Sequence, residues 1–428
     1  MKYFAVVGKP ILFSKSPEIF NTFFREKNIS AKYTRLLADT AEKAVELFKD
    51  LDLSGMSVTA PFKTDIIPFL DEIDSRSKAI GSVNTVVKKD GKLIGYNTDY
   101  DGILNTIREF KNKNILLLGA GGASRAVIYT VLEQGGKLTI YNRTKSKLEQ
   151  LAQEFNIEIC SEEKLANTVG ESDIIINTIP NGVQLIDDSL FKKEHIIFDA
   201  IYHQSVYKHL EDKLNLSFYD GKQWLVNQAI GAFNLFFEND KLERDTINIS
   251  FPKPKEKIIF TGFMGSGKSL IGEQVAQLLN TKFFSTDNIV SQKESCSINE
   301  IFEKYGESYF RKSEQDVLNM LASMNGPAIV SSGGGMVLDS KNRQVISDSY
   351  ISVWLYASPE TIMQRAKPDN RPLLQDNFNL DFIQKLMAER KEYYFTSADI
   401  IINTNAKTPK EIVKLLFHEL SLLNNENS

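Results

Sequence analysis

Two glycine-rich turns are the residues in this chain best suited to hold phosphate. Residues 262–269 read GFMGSGKS, which fits the spacing GxxxxGK[ST]. In such a turn successive backbone N–H groups wrap a polyphosphate, the lysine reaches its terminal oxygens and the last hydroxyl ligates Mg2+. Gly265, Ser266, Gly267, Lys268, Ser269 and Leu270 are therefore the expected ATP contacts, with Ser269 on the metal. Residues 119–126, GAGGASRA, follow the apolar run NILLL and continue into VIYTVLEQ. They approximate GxGxxG with Ser124 at the third glycine, where a strand turns into a helix and N–H groups can approach a pyrophosphate. Gly119, Gly121, Gly122 and Ala123 are the expected contacts there. The next apolar run ends on Asn142, Arg143 and Thr144, with Lys147 beyond. An acidic residue at that place accepts a ribose 2′-hydroxyl, whereas a guanidinium pairs with a 2′-phosphate, so NADPH is favoured over NADH.

Both turns need a strand before them and a helix after them, and the surrounding pattern supplies these. From the N-terminus to about Asn239 the runs YFAVVG, SVNTVV, NILLLG, KLTIYN, DIIINT and HIIFDA alternate with helix-like stretches such as SKLEQLAQEF. That alternation predicts parallel α/β architecture. Residues 241–256 are charged, carry two prolines and lack a long apolar period, which predicts a linker. The pattern then restarts with KIIFTG, PAIVSSGGG, SVWLYA and ADIIIN, a second α/β domain over 257–424.

Bulk properties narrow the possibilities. At 428 residues the chain suggests about three folding units. A net charge of −4 and a pI near 5.8 offer no basic field, so nucleic acid is not an expected partner. Cys160 and Cys296 are too few and too distant for a disulfide framework or a CxxC metal site, and the four histidines do not pair with them at zinc spacing. No apolar stretch approaches the ~20 residues of a membrane span. The opening MKYFAVVGKP begins on a strand-like run, so the expectation is a cytoplasmic chain without a targeting segment and without membrane contact. The sequence does not specify an oligomeric state, and nothing in its motifs requires more than a monomer.

GKPILFSKSPEIFN, SVTAPFK, GSVNT, GYNTDYDG and KQWLVNQAIGAF occur in that order around the first turn. At these residues the chain resembles the shikimate dehydrogenase family over essentially all of 1–240. The resemblance implies a substrate-binding part at 1–102 and 216–240 and an NADP-binding Rossmann part at 103–215. It also implies reduction of 3-dehydroshikimate to shikimate. Ser14 and Ser16 would hold the substrate carboxylate, Thr59, Asn84 and Gln228 the ring hydroxyls, and Lys63 with Asp99 would be the catalytic pair. Tyr202, near the nicotinamide, and Gly221 complete the implied cofactor contacts. The chemistry suits such a pair, because hydride addition to a carbonyl leaves an alkoxide that an ammonium can stabilise and protonate. Phe13, Phe20 and Ser57 depart from the family's usual residues, and so does DAIYHQ around Tyr202.

FFSTDNI, GESYFRKSE, SSGGGMV, DNRPLLQ and AERKEYY come after the second turn, and with it they resemble the shikimate kinase family over about 255–420. By that resemblance Asp287 would orient the attacking hydroxyl of shikimate, and Arg311 with Arg390 would clamp its carboxylate. Gly333, Gly334 and Gly335 would let backbone approach the ring, Arg371 would close on the transferring phosphate with a lid, and Arg365 would meet ATP. A planar carboxylate matches a guanidinium fork, which lysine cannot imitate. Ser285 stands where the family usually has an aspartate near the magnesium shell.

The two resemblances make one reading, since the hydroxyl produced at the first site is the acceptor at the second. The expected protein is a bifunctional enzyme of aromatic amino-acid biosynthesis using NADPH, ATP and Mg2+, with 3-dehydroshikimate and shikimate as its small-molecule partners. A shikimate or quinate dehydrogenase with a non-catalytic ATP-binding module remains the alternative, motivated by Ser285.

Overall fold

A computed structural model of the chain describes residues 1–179, 183–201, 205–243, 249, 255–366 and 378–426. Tyr202, Arg371 and most of the expected linker lie outside the described residues. The chain forms two compact units, one made of residues 1–24, 29–53 and 250–428, the other of 25–28 and 54–249.

In the second of these units a six-stranded parallel sheet carries the first glycine turn. Its order is Ser217–Asp220, Ile196–Asp199, Ile174–Asn177, Asn114–Leu118, Lys137–Tyr141, Glu158–Ile159. The two halves of the sheet run outward from Asn114–Leu118 in opposite directions, the doubly wound arrangement that places a dinucleotide at the carboxyl ends of the central strands. The run NILLL reads as continuously apolar because both faces of a parallel sheet are covered. Ile115 and Leu117 point into a core with Val127 and Val131, while Leu116 and Leu118 point to the opposite core with Ile175, Ile197 and Tyr207. The same unit holds Gly55–Val58, Thr85–Lys89 and Lys92–Tyr96 as an antiparallel set with Glu72–Ile73 at its edge.

The other unit aligns seven strands: Lys282–Ser285, Ala328–Ser331, Lys257–Thr261, Tyr350–Tyr356, Ile400–Asn403, Ala31–Leu37 and Lys2–Gly8, each parallel to the next. The second glycine turn leaves Lys257–Thr261, whose two neighbours come later in the chain and lie on opposite sides of it. A cleft for phosphate at that switch point is the general expectation for open α/β sheets. Residues 1–24 and 29–53 thus share a compact unit with the C-terminal half. The reason is parallel pairing of Ile400, Ile401 and Ile402 with Arg35, Leu36 and Leu37. Among the described residues no helix is long and apolar enough to cross a membrane.

Candidate active sites

The first glycine turn is shaped by close approach. Gly119 has φ +114°, and a Cβ there would lie 2.4 Å from Thr178 Oγ1. Ser124, at the place of the third glycine, is fully buried; its Oγ accepts from the Gly121 N–H at 3.0 Å and lies 2.9 Å from Thr178 Oγ1. The serine thus ties the turn to the helix Gly122–Glu133 by a hydrogen bond. A Cβ on Gly121 would meet nothing within 4 Å, leaving room for a phosphate at the helix N-terminus. Arg143, Thr144 and Lys147 are exposed just past the end of Lys137–Tyr141, and Asn142 Nδ2 donates to Thr144 O at 3.2 Å. Gly221 starts the helix Gly221–Phe236, where a Cβ would clash with Ala200 O at 2.2 Å, so it has a packing reason as well as an expected cofactor role.

Lys63 and Asp99, for which the sequence raises the expectation of a catalytic pair, form an ion pair against this turn. Lys63 Nζ is 2.5 Å from Asp99 Oδ2, with Asp99 1% exposed at its side chain. A Cβ on Gly122 would sit 3.1 Å from Lys63 Cβ, so lysine and nucleotide turn are neighbours. Asp99 opens the helix Asp99–Thr106, its N–H held by Asn97 Oδ1 at 3.1 Å and its carbonyl by the Trp224 indole at 3.2 Å. Its remaining oxygen, Oδ1, is buried with no partner among the described residues. Asn84 Nδ2 donates to Gln228 Oε1 at 3.1 Å, and Asn84 Oδ1 accepts from the Thr98 N–H at 2.7 Å, so both polar side chains are held together. Thr59 is half-buried on the same unit, its carbonyl accepting from the Phe62 N–H at 3.0 Å. Ser14 and Ser16 belong to the other unit, their hydroxyl oxygens 3.3 Å apart.

The second cradle opens on a cleft of about 460 Å³ that gathers Gly265, Gly267, Lys268, Ser269, Leu270, Asp287, Arg311, Gly333, Gly334, Gly335, Arg365 and Arg390. Gly265 and Gly267 take positive φ, +83° and +95°, so the turn's N–H groups can converge. Lys268 Nζ donates to Gly262 O at 2.9 Å and Phe263 O at 3.1 Å, resting on the loop it would leave for a phosphate. Ser266, within the loop, is fully buried. Each of the three glycines is used differently. A Cβ on Gly333 would meet Glu314 Oε1 at 2.0 Å and Asp287 Oδ1 at 2.8 Å, one on Gly335 would meet the Arg311 guanidinium at 2.5 Å, and Gly334 O accepts from the Tyr394 hydroxyl. Arg390 is 7% exposed and its Nη1 has no acceptor among the described residues. Arg365 is anchored on Thr404 and Lys407 carbonyls at 2.7 and 3.2 Å.

Glu314 is the site residue that sequence reasoning missed. Three residues beyond Arg311, it reads as a surface ion-pair partner. The structure instead buries it at 1% side-chain exposure, 2.5 Å from Arg311 Nη1 and lining the cleft. Burial, opposed by Arg311 and reinforced by Asp287, pushes its carboxyl up to about 7. Ser285 accepts from the Asn288 N–H at 3.4 Å and caps the helix Thr286–Glu294, so it serves local structure. The site still fits magnesium. The Ser269 hydroxyl and the Asp287 carboxylate line the same cleft, and Mg2+ is usually held by one or two carboxylates with phosphate oxygens and water completing its shell.

Known proteins match both parts of the chain. Residues 6–86 match the family model "Shikimate dehydrogenase substrate binding domain", 103–198 match "Shikimate / quinate 5-dehydrogenase", and 264–421 match "Shikimate kinase". The shikimate dehydrogenase (NADP(+)) of Aquifex aeolicus is 38% identical over 244 residues, covering 54% of this chain and 90% of that protein. The crystal structure of an Aquifex aeolicus shikimate dehydrogenase superposes with TM-score 0.54 at 36% identity, covering 56% of this chain and 94% of the other. That of Thermus thermophilus shikimate 5-dehydrogenase, in complex with NADP(H) and shikimate, gives TM-score 0.52 at 26% identity, covering 56% and 95%. The chain belongs to the shikimate dehydrogenase family and carries, C-terminal to that part, a shikimate kinase domain.

Proposed function

We propose that this chain reduces 3-dehydroshikimate to shikimate with NADPH and then phosphorylates shikimate to shikimate 3-phosphate with ATP and Mg2+. The observation that carries this reading is the pairing of each nucleotide cradle with groups for the same acid. Lys63–Asp99 lies against the first, and Asp287, Arg311 and Arg390 line one cleft with the second.

At the first site NADPH, when bound, supplies the hydride that converts the C3 carbonyl to an alkoxide. Lys63 Nζ stabilises that oxygen and delivers its proton, while Asp99 Oδ2 fixes the ammonium. The partnerless Asp99 Oδ1 is available to accept from a ring hydroxyl, and the Asn84–Gln228 pair offers further polar atoms for the remaining ones. Ser14 and Ser16 supply hydroxyls to the carboxylate. Exposed Arg143 and Lys147 pair with the 2′-phosphate, which sets the preference for NADPH.

At the second site ATP with Mg2+, when bound, supplies the transferable phosphoryl group. Lys268 moves from the loop carbonyls to the phosphate oxygens, and Ser269 takes the metal. Arg311 and Arg390 receive the shikimate carboxylate, and Asp287 accepts the hydrogen bond of the attacking hydroxyl, aligning its oxygen with phosphorus. By the family resemblance Arg371, which lies outside the described residues, would add positive charge at the transferring phosphate. A single polypeptide with both activities needs no partner protein, and we place it in the cytoplasm, in keeping with its free Cys160 and Cys296.

Two variants test the assignment. With 3-dehydroshikimate, NADPH and ATP-Mg2+ present, Lys63→Ala should stop both NADPH loss and ADP release, and added shikimate should restore the latter. Lys268→Ala should stop ADP release alone. A Lys268→Ala protein that still releases ADP on shikimate would overturn the role of Lys268, and a parent protein that releases no ADP on shikimate would overturn the kinase assignment and favour a C-terminal module whose ATP site does something else.

A further inference from the structure

The segment carrying Ser14 and Ser16 is held from the C-terminal half of the chain. Glu419, on the helix Pro409–Glu426, is fully buried, and its Oε1 accepts the backbone N–H groups of both Ile11, at 2.6 Å, and Leu12. Ile11 O in turn accepts from the Ser14 N–H at 3.0 Å, so the carboxylate grips one side of the turn that presents Ser14. The other side is held by Arg35, whose Nε and Nη2 donate to Ser14 O at 3.0 and 2.6 Å and whose Nη2 also pairs with Glu18. Arg35 itself sits on the seam with the C-terminal half. It pairs in register with Ile400, and its neighbour Thr34 donates through Oγ1 to Ala398 O at 2.7 Å.

Ile11 and Leu12 are buried at 1% and 8% exposure, so water has little access to N–H groups that lost their acceptor. Glu419 Oε2 is buried without a partner among the described residues, which leaves the double acceptance by Oε1 as the evident polar task of the side chain. A carboxylate 408 residues from its donor, on a helix outside the dehydrogenase part, is thereby built into the segment that carries the two serines.

We propose that Glu419 is a positioning residue for the dehydrogenase reaction, fixing the Ser14–Ser16 turn so that both hydroxyls meet the substrate carboxylate. The kinase half is then a structural component of the dehydrogenase's substrate grip as well as a second catalyst. The inference rests on the reading that Ser14 and Ser16 hold that carboxylate.

The test uses the full chain and steady-state oxidation of shikimate by NADP+. Glu419→Met keeps side-chain length and removes both acceptors; it should raise the dehydrogenase KM for shikimate roughly 10- to 100-fold, the scale of a small misplacement of a binding group. The KM for NADP+ and the kinase KM for ATP should stay within about twofold. Glu419→Gln keeps an oxygen able to accept both N–H groups and should restore the shikimate KM to within about threefold. A Ser14→Ala/Ser16→Ala variant run in parallel separates the role of Glu419 from that of the serines. If that variant raises the shikimate KM and Glu419→Met does not, the role of Glu419 is refuted while the serine reading stands. If the double alanine variant leaves the KM unchanged, the serine reading falls and takes the proposal with it. Collapse of dehydrogenase and kinase kcat together in Glu419→Met, or failure of Glu419→Gln to rescue, would also overturn it, showing a role in general folding instead.

Discussion

Replacing Lys63 with Met should cost the protein both stability and one activity, and a second substitution should return only the first. Lys63 Nζ and Asp99 Oδ2 are 2.5 Å apart and the aspartate side chain is 1% exposed, so the substitution strands a carboxylate whose other oxygen already lacks a partner among the described residues. At that separation and an effective dielectric of about 20 the lost attraction is of the order of 6 kcal/mol. Relaxation and water entry reduce it, and removal of one member of a buried pair typically costs about 3–5 kcal/mol. Converting the stranded Asp99 to Asn removes the charge, so Lys63→Met/Asp99→Asn should recover most of that loss. Neither variant retains the proton-bearing ammonium, and both should lose about 10²- to 10⁴-fold in kcat for shikimate oxidation. Trp224, whose indole donates to Asp99 O, is one of two tryptophans in the chain, so urea unfolding by fluorescence in a Trp354→Phe background reports on this unit. A Lys63→Met protein as stable as its parent, a double variant no more stable than the single, or a rate within tenfold of the parent would each refute the reasoning.

Arg143→Ala should raise the KM for NADP+ roughly 10- to 100-fold while leaving that for NAD+ nearly unchanged; equal effects on the two would contradict the exposed guanidinium as the 2′-phosphate partner. Glu314 holds its proton more tightly folded, at about 7, than unfolded, at about 4.5, so its contribution to stability is in place below pH ~4.5 and is lost as pH rises through 7. Glu314→Gln does not titrate and should become more stable than the parent between pH 5 and 8, by up to roughly 3 kcal/mol, with no difference near pH 4; a pH-independent difference in melting temperature would argue against the raised carboxyl. Gly333→Ala places a methyl 2.0 Å from Glu314 Oε1 and should abolish ADP release while sparing the dehydrogenase, as measured by NADPH oxidation; an active kinase would show that the cleft yields more than its packing suggests.

The parts of the two sites that were legible in the sequence are those whose chemistry is local. A phosphate cradle needs a strand, a glycine turn and a helix in immediate succession, and GAGGASRA and GFMGSGKS sit where the structure has that succession, at Asn114–Leu118 into Gly122–Glu133 and at Lys257–Thr261 into Lys268–Leu278. What lay beyond reach is long-range. Parallel pairing of Ile400–Ile402 with Arg35–Leu37 leaves no local mark, because a strand covered on both faces reads the same whichever strand adjoins it. Nor does Glu419 differ in sequence from any other helical glutamate; only the fold brings it to Ile11. Glu314 escapes notice for a related reason, since a spacing of three from Arg311 fits an exposed ion pair as well as a buried one and only the packing of Gly333 against it decides.

The central claim is that one chain makes a hydroxyl at one site and phosphorylates it at the other. Simultaneous recording of NADPH absorbance and ADP release from 3-dehydroshikimate and ATP-Mg2+ tests this most directly. ADP should appear only when NADPH is supplied and rise, after a lag, to one ADP per NADPH consumed. NADPH consumption without ADP, or ADP release that is indifferent to NADPH, would contradict it.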